Sequence, residues 1–388
     1  MTILAAGRVV TGTEVHTPGW VEYQASRITA VGTGRPDRVD LDLGADAVVV
    51  PGFVDLHVHG GGGGSFTTGD LDSALHAVRT HRAHGTTATM ASLVSASPAE
   101  LLDSVVMLAD LYEAGEIAGI HLEGPWISAH RCGAHDPTQL REPDPAEIAR
   151  LLAAGRGAVA MVTLAPELPG GLDAIRQVVG AGAVAAVGHT DASYELVVQA
   201  IAAGARVGTH LFNAMRPVHH RQPGPIVALL EDPRVTVELI ADGIHLHPAL
   251  YRYISDTTSH DRVALVTDAM AAATFGDGTY QLGPMQVTVN DGVARLAGTD
   301  TIAGSTTTMD RLFRAAATDD PNAVSPQPPD DLLLRAVRQT SVNPARTLSR
   351  TDIGVLGAGR RADLIALDTH LHITHVIRAG DISTSPLT

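Results

Sequence analysis

Six residues able to bind a metal or move a proton, His57, His59, Glu123, His189, His210 and Asp268, each stand just after a short apolar run. Two imidazoles separated by one residue at a strand end point to the same side, because side chains alternate with period two, and they make half a metal site. A glutamate after another run would be costly to bury alone, and a cation satisfies it. Two further histidines ending neighbouring runs extend the donor set, and an aspartate after the last run is placed to take a proton from an activated water and return it to a leaving nitrogen. The chemistry that this collection suits is metal-dependent hydrolysis. The chain has one cysteine, Cys132, and its 27 basic residues include no lysine. That removes a thiolate cluster, a Schiff base and a carboxylated lysine bridging two metals, so metal must be held by imidazole and carboxylate.

The apolar runs that must position these residues are Val48 to Leu56, Thr87 to Leu93, Ile117 to Leu122, Ala158 to Leu164, Ala183 to Val187, Ala205 to Thr209, Val235 to Ile240 and Val263 to Thr267. Helix-length stretches such as Asp70 to His84, Ala99 to Ala114 and Tyr194 to Ala203 lie between them. Strand alternating with helix predicts an α/β fold with a parallel sheet, and eight repeats predict a (β/α)8 TIM barrel. Chemistry in such barrels sits at the C-terminal strand ends, and strands one, three, five, six and eight end in the six residues named. Before the barrel, Ile3 to Val10 and Val21 to Val31 alternate without a helical pattern, and Ala362 to Leu367 and Ile373 to Val376 return to that style. Residues 1–50 and 352–388 are therefore expected to form one small β-sandwich beside a catalytic barrel of residues 51–351. Tyr280 to Leu296 reads as a hairpin after the eighth strand, and Thr318 to Pro329 as an exposed loop.

With 42 acidic residues against 27 basic ones, the net charge is −15. That balance argues against a nucleic acid or an anionic membrane as partner and for a small ligand. No apolar stretch reaches the roughly 18 residues needed to span a bilayer, and Met1 to Val10 is unlike a secretory leader, so a cytoplasmic protein is expected. His245 follows the seventh run and is placed to polarise a carbonyl. His135 and Arg131, in the loop after Glu123, either contact a ligand or face solvent. His76, His81 and His84 on a predicted helix, and His370, His372 and His375 in the terminal sheet, are expected to be structural or exposed. Gly60 to Gly64 implies either a backbone that approaches something closely or a flexible turn.

The segments PGFVDLHVHG, HLEGPW, GHT, THLFNAM, ADGIH and TDAM occur in this order. With them the chain resembles the N-acetylglucosamine-6-phosphate deacetylases of the amidohydrolase superfamily over nearly its whole length. The resemblance implies hydrolysis of N-acetylglucosamine 6-phosphate to glucosamine 6-phosphate and acetate by metal-activated water. Glu123, His189 and His210 then match the principal metal ligands, Asp268 the acid/base at the metal, and His245 the carbonyl-polarising residue. Asn213, Ala214 and Arg221 match sugar and phosphate contacts, Arg221 by reaching a neighbouring subunit of a homodimer, and His135, Ile302, Ala303 and Gly304 match further substrate contacts. His57 and His59, absent from some members, favour a second metal, giving one or two divalent ions per chain. Zinc is the first expectation, with iron, cobalt or manganese as alternatives. Another amidohydrolase acting on a different N-acyl or cyclic amide, and an inactive barrel serving as a binding module, are the competing readings.

Overall fold

A computed structural model of the protein describes residues 1–318 and 328–384. Most of the expected loop from Thr318 to Pro329 thus lies outside the described residues. Eight parallel strands stand side by side in chain order: Phe53–Asp55, Thr86–Leu93, Gly119–Glu123, Val159–Leu164, Val184–Val187, Val207–Gly208, Thr236–Leu239 and Val263–Leu265. Strands two and three are buried along their whole length, as a sheet covered on both faces requires of its continuous apolar runs. The ring closes where the chain returns to strand one. There the Asp268 N–H donates to His57 O at 2.8 Å and the His59 N–H to Ala269 O at 2.8 Å. Just below, the Thr267 hydroxyl donates to Asp55 Oδ2 at 2.6 Å. Burial pushes the Asp55 carboxyl up to about 7, against the hydrogen bonds it accepts from Thr267 and the His57 N–H.

Helices cover the outside, and their starts are written in the sequence. Asp70 caps Leu71–Ala83, Ser97 and Glu100 form a reciprocal capping box on Pro98–Glu113, and Ser193 caps Tyr194–Ala203. The last barrel helix, Met309–Thr318, is tied to the first by buried Asp310, which lies 3.1 Å from His84 Nδ1 and 2.9 Å from Arg314 Nη1. Burial would raise the Asp310 carboxyl, but His84 and Arg314 hold it well below the usual range.

Two elements differ from the sequence expectation, the first strand and the segment after the eighth, while the flanking unit is the expected sandwich. The run Val48 to Leu56 is not one barrel strand. Val48–Pro51 pairs with Arg8–Val10 and Leu364–Leu367, and the chain crosses into the barrel at Gly52. Only glycine fits there, since a Cβ would stand 2.1 Å from Thr87 Oγ1. The flanking unit has two sheets, one of Arg27–Thr33, Gly19–Gln24, Thr2–Ala6 and Leu41–Asp42, the other of Asp381–Thr384, Ile373–Arg378, Leu364–Leu367, Val48–Pro51, Arg8–Val10 and Val15–His16. Leu4, Val21 and Ile28 from the first pack against Val9, Val49 and Leu364 from the second, which makes a sandwich. The segment after strand eight is a three-stranded sheet, Gly278–Leu282, Met285–Asn290 and Val293–Leu296, turning at Gly283 and Gly292.

The glycine run resolves into a close approach. Gly60–Gly61 and Gly64–Ser65 form a tight hairpin laid on helix Leu71–Ala83, whose His81 and His76 side chains bond Gly60 O at 2.8 Å and Gly62 O at 2.9 Å. His81 is fully buried, and burial pushes its imidazole down to about 4, so it stays neutral. A Cβ on Gly64 would stand 2.4 Å from the Ser73 carbonyl oxygen, which belongs to the helix and cannot swing away. Gly64→Ala should therefore destabilise by about 1–3 kcal/mol, the usual cost of overpacking. A thermal unfolding midpoint equal to that of the wild type would show that the hairpin lifts freely.

Candidate metal centre and catalytic site

The strand ends bring the six expected residues into one buried cluster. Glu123 is its centre. Its Oε1 lies 3.0 Å from His189 Nε2 and 2.9 Å from His210 Nε2, and its Oε2 lies 3.1 Å from His59 Nε2 and 3.4 Å from His57 Nε2. Asp268 Oδ1 faces the second pair, 3.2 Å from His59 Nε2 and 3.5 Å from His57 Nε2. His189, His210 and Asp268 adopt left-handed backbone conformations, with φ of 47°, 26° and 48°. Non-glycine residues adopt this region uncommonly, and here it falls at the sharp turn after strands five, six and eight.

Hydrogen bonds behind two of the rings fix which nitrogen faces the centre. His59 Nδ1 bonds Ser92 O at 3.1 Å and His189 Nδ1 bonds Arg131 O at 2.9 Å, and a carbonyl only accepts. The proton of each ring is thus on Nδ1, and Nε2 offers a lone pair. His57 and His59 Nε2 are 3.1 Å apart, and so are His189 and His210 Nε2. Converging lone pairs around one carboxylate repel unless a cation lies among them. Neutral imidazole and carboxylate are ligands suited to a divalent ion, and two triads, His57–His59–Glu123 and Glu123–His189–His210, each bring three donor atoms within 4.8 Å of one another. Burial would raise the Glu123 carboxyl, but His57 with His135, His189 and His210 holds it well below the usual range.

The cluster forms one end of a cavity of about 320 Å³, whose wall includes His59, Glu123, His135, His189, His210, His245 and Asp268 with Asn213, Ala214, Ile302 and Gly304. His135 is not a further ligand. Its Nδ1 accepts the Ser95 N–H at 3.1 Å, so its proton is on Nε2, which points at Glu123 Oε2 at 3.3 Å. His245 Nδ1 is 2.8 Å from Asp242 Oδ2, and although burial lowers its pKa, Asp242 outweighs that and raises it above the usual value.

Two expected residues stand elsewhere. Ala303 points away from the cavity into the small core of the three-stranded sheet with Val94, Met270 and Ala294, because residues alternate along the segment and its neighbours Ile302 and Gly304 take the cavity side. Arg221 is exposed, 2.7 Å from the His220 ring, and no arginine lines the cavity among the described residues.

Several site residues were not singled out from sequence. Asp242 orients His245, Ser92 and Ser95 set the tautomers of His59 and His135, and His121 packs edge-on against His57 with ring centres 4.6 Å apart. Glu238, wholly buried in strand seven, lies 3.5 Å from His57 Nδ1. A glutamate inside the apolar run Val235 to Ile240 was the available signal, since that residue type is almost never fully buried without a partner.

A (β/α)8 barrel with histidine and glutamate donors at its C-terminal strand ends, beside an aspartate and a cavity, defines a metal-dependent hydrolase. The chain belongs to the amidohydrolase family, whose model matches residues 48–385. The structure is similar to an Asp-to-Ala mutant of N-acetyl-D-glucosamine-6-phosphate deacetylase from Mycobacterium smegmatis in complex with N-acetyl-D-glucosamine-6-phosphate, at 55% identity and a TM-score of 0.94, covering 98% of each chain. The N-acetylglucosamine-6-phosphate deacetylase of Lysinibacillus sphaericus is 32% identical over 89% of this chain and 87% of its own. The N-acetylgalactosamine-6-phosphate deacetylase of Escherichia coli O157:H7 is 32% identical over 98% and 99%.

Because Glu123 gives one oxygen to each triad, Glu123→Gln should empty both positions together. Elemental analysis of the purified variant is the check, and one retained ion per chain would mean that the two triads do not depend on a shared carboxylate.

Proposed function

We propose that the protein hydrolyses the acetamide of N-acetylglucosamine 6-phosphate, releasing acetate and glucosamine 6-phosphate. The observation that carries this reading is the cavity whose floor is the Glu123 cluster with Asp268 and whose wall holds His245. The 55% identity to the M. smegmatis enzyme across nearly the whole chain supports the phosphorylated N-acetyl sugar as substrate. An N-acetylgalactosamine-6-phosphate deacetylase at 32% identity makes the 4-epimer the natural competitor. Acetate release from both sugars decides between them, and kcat/KM is expected to favour the glucosamine derivative.

Glu123, His189 and His210 would hold one divalent cation, and Glu123, His57 and His59 a second, with zinc the first metal to test. When bound, such a cation polarises the amide carbonyl and makes water at the centre acidic. The protein's own residues do the rest. Asp268, which His57 and His59 hold ionised against burial, accepts the proton of the attacking water and delivers it to the departing nitrogen. His245, whose Nδ1–H is fixed on Asp242, presents Nε2 to the substrate. In its imidazolium form that nitrogen donates a hydrogen bond to the developing oxyanion. His135, with its proton on Nε2, and the backbone at Asn213 and Ala214 offer donors to the sugar.

The phosphate needs a cation that the cavity wall of one chain does not supply. We infer that Arg221, exposed on the loop after Asn213, completes the site across a homodimer, a guanidinium being suited to paired phosphate oxygens. The single cysteine and a phosphorylated substrate fit a cytoplasmic place of action.

Asp268→Asn keeps shape and loses the proton relay. Its turnover should fall about 10²–10⁴-fold with metal content unchanged, and a loss below about threefold would assign the proton to another group. The charged groups acting on His245 are Asp242 and Asp268, and Asp242 raises its pKa. Activity should accordingly be present below that raised pKa and decline as pH climbs through it, and Asp242→Asn should move the alkaline decline to lower pH. An unshifted profile would remove the imidazolium from the mechanism. Arg221→Ala should lower kcat/KM for the phosphorylated sugar by an amount worth roughly 1.5–3 kcal/mol while sparing the unphosphorylated one. An equal loss for both sugars would make Arg221 structural.

A further inference from the structure

Glu238 is fully buried in strand seven, and the reaction above makes no use of it. Interior positions of such barrels are ordinarily filled by branched apolar side chains, and a carboxylate there without a compensating partner is costly. Its Oε2 accepts the His210 backbone N–H at 3.2 Å and lies 3.5 Å from His57 Nδ1, while its Oε1 has no hydrogen-bond partner among the described residues.

The rings above it differ in what holds their protons. His59 and His189 each bond a backbone carbonyl through Nδ1, whereas the Nδ1 atoms of His57 and His210 have no hydrogen-bond partner among the described residues, and the acidic oxygen near one of them is Glu238 Oε2, 3.5 Å from His57. A neutral imidazole can offer Nε2 to a cation only while its proton is on Nδ1, and the acceptor facing that nitrogen is Glu238. We propose that Glu238 is a positioning residue that holds the Nδ1–H form of His57 and thereby sets the affinity of the cation position made by His57, His59 and Glu123. The other position is less dependent on it, because Arg131 O fixes His189 and a neutral amide can still accept the His210 backbone N–H. Charge acts in the same direction, since a buried carboxylate beneath the triad offsets part of the cation's charge.

This inference rests on the reading of two metal positions, so wild-type protein is the reference in the same titration. Metal-free wild type, Glu238→Gln and Glu238→Asp are titrated with zinc against a competing chelator, and each is melted without and with metal. The amide keeps shape and loses charge, whereas Asp keeps charge and draws the oxygens back by one methylene. Both variants should bind the ion of the His57, His59 and Glu123 position about 10–100-fold less tightly, the usual effect of losing a partner behind a metal-bound histidine, while the other ion is retained. Metal-free Glu238→Gln should melt no lower than wild type, since it loses a buried charge, and metal should raise its midpoint by less. Wild-type affinity for both ions in both variants would overturn the proposal. So would a metal-free Glu238→Gln that melts well below wild type and loses both ions alike, which would mark Glu238 as structural. A wild type that binds one ion only would remove the second position itself and the proposal with it, leaving the deacetylase reading to the acetate assay.

Discussion

One buried carboxylate governs the arrangement of this molecule. Glu123 stands at the end of a strand with nitrogens of five imidazoles within 3.5 Å, and neither of its oxygens reaches solvent in any useful degree. A charge placed there is tolerable only if opposite charge is close and the donors around it are aimed. That demand is met from five strands of the barrel at once. The left-handed turns after strands five, six and eight aim ligands and acid/base at the axis, and the backbone carbonyls of Ser92 and Arg131 select the nitrogen that each ring presents. Precision at the centre thus comes from the scaffold's hydrogen bonds rather than from the ligands alone.

Much of this was legible in the sequence, because the ligand-bearing positions coincide with the ends of apolar runs and the runs recur with helix-length spacing. Glu123, His189, His210, His57, His59 and Asp268 could be found by that rule alone, and the barrel follows from the alternation. The break at Gly52 was hidden because Val48–Pro51 and Phe53–Asp55 are equally apolar, and period and composition do not tell which of two adjoining sheets a strand joins. The side-chain direction of Ala303 was hidden for a related reason: a three-residue stretch matched as a block has two residues on the cavity side and one facing away.

The supporting residues were less legible, since their roles are defined by the partner that each side chain meets, whether distant in sequence or across a local turn. His135 cannot be assigned a tautomer without Ser95, and His245 cannot be given a raised pKa without its local turn to Asp242. Glu238 illustrates the opposite case. It was visible as an acidic residue in an apolar run, a conflict between residue type and burial, and such conflicts are where function or its support is to be expected. Arg221 lies outside the cavity of one chain, exposed beside His220, and nothing in its local sequence tells which side of the loop it takes.

The seam of the barrel is also the site. Asp268 donates its backbone N–H to His57 O, so strand eight meets strand one at the residues that carry the chemistry. A ribosome delivers these partners far apart in time, with most of the barrel made in between. A nascent chain can therefore gather no more than part of the donor set, and the acid/base joins it only when the ring shuts. Asn343, which bonds Val263 O from beyond the last barrel helix, fastens that final strand from still later in synthesis.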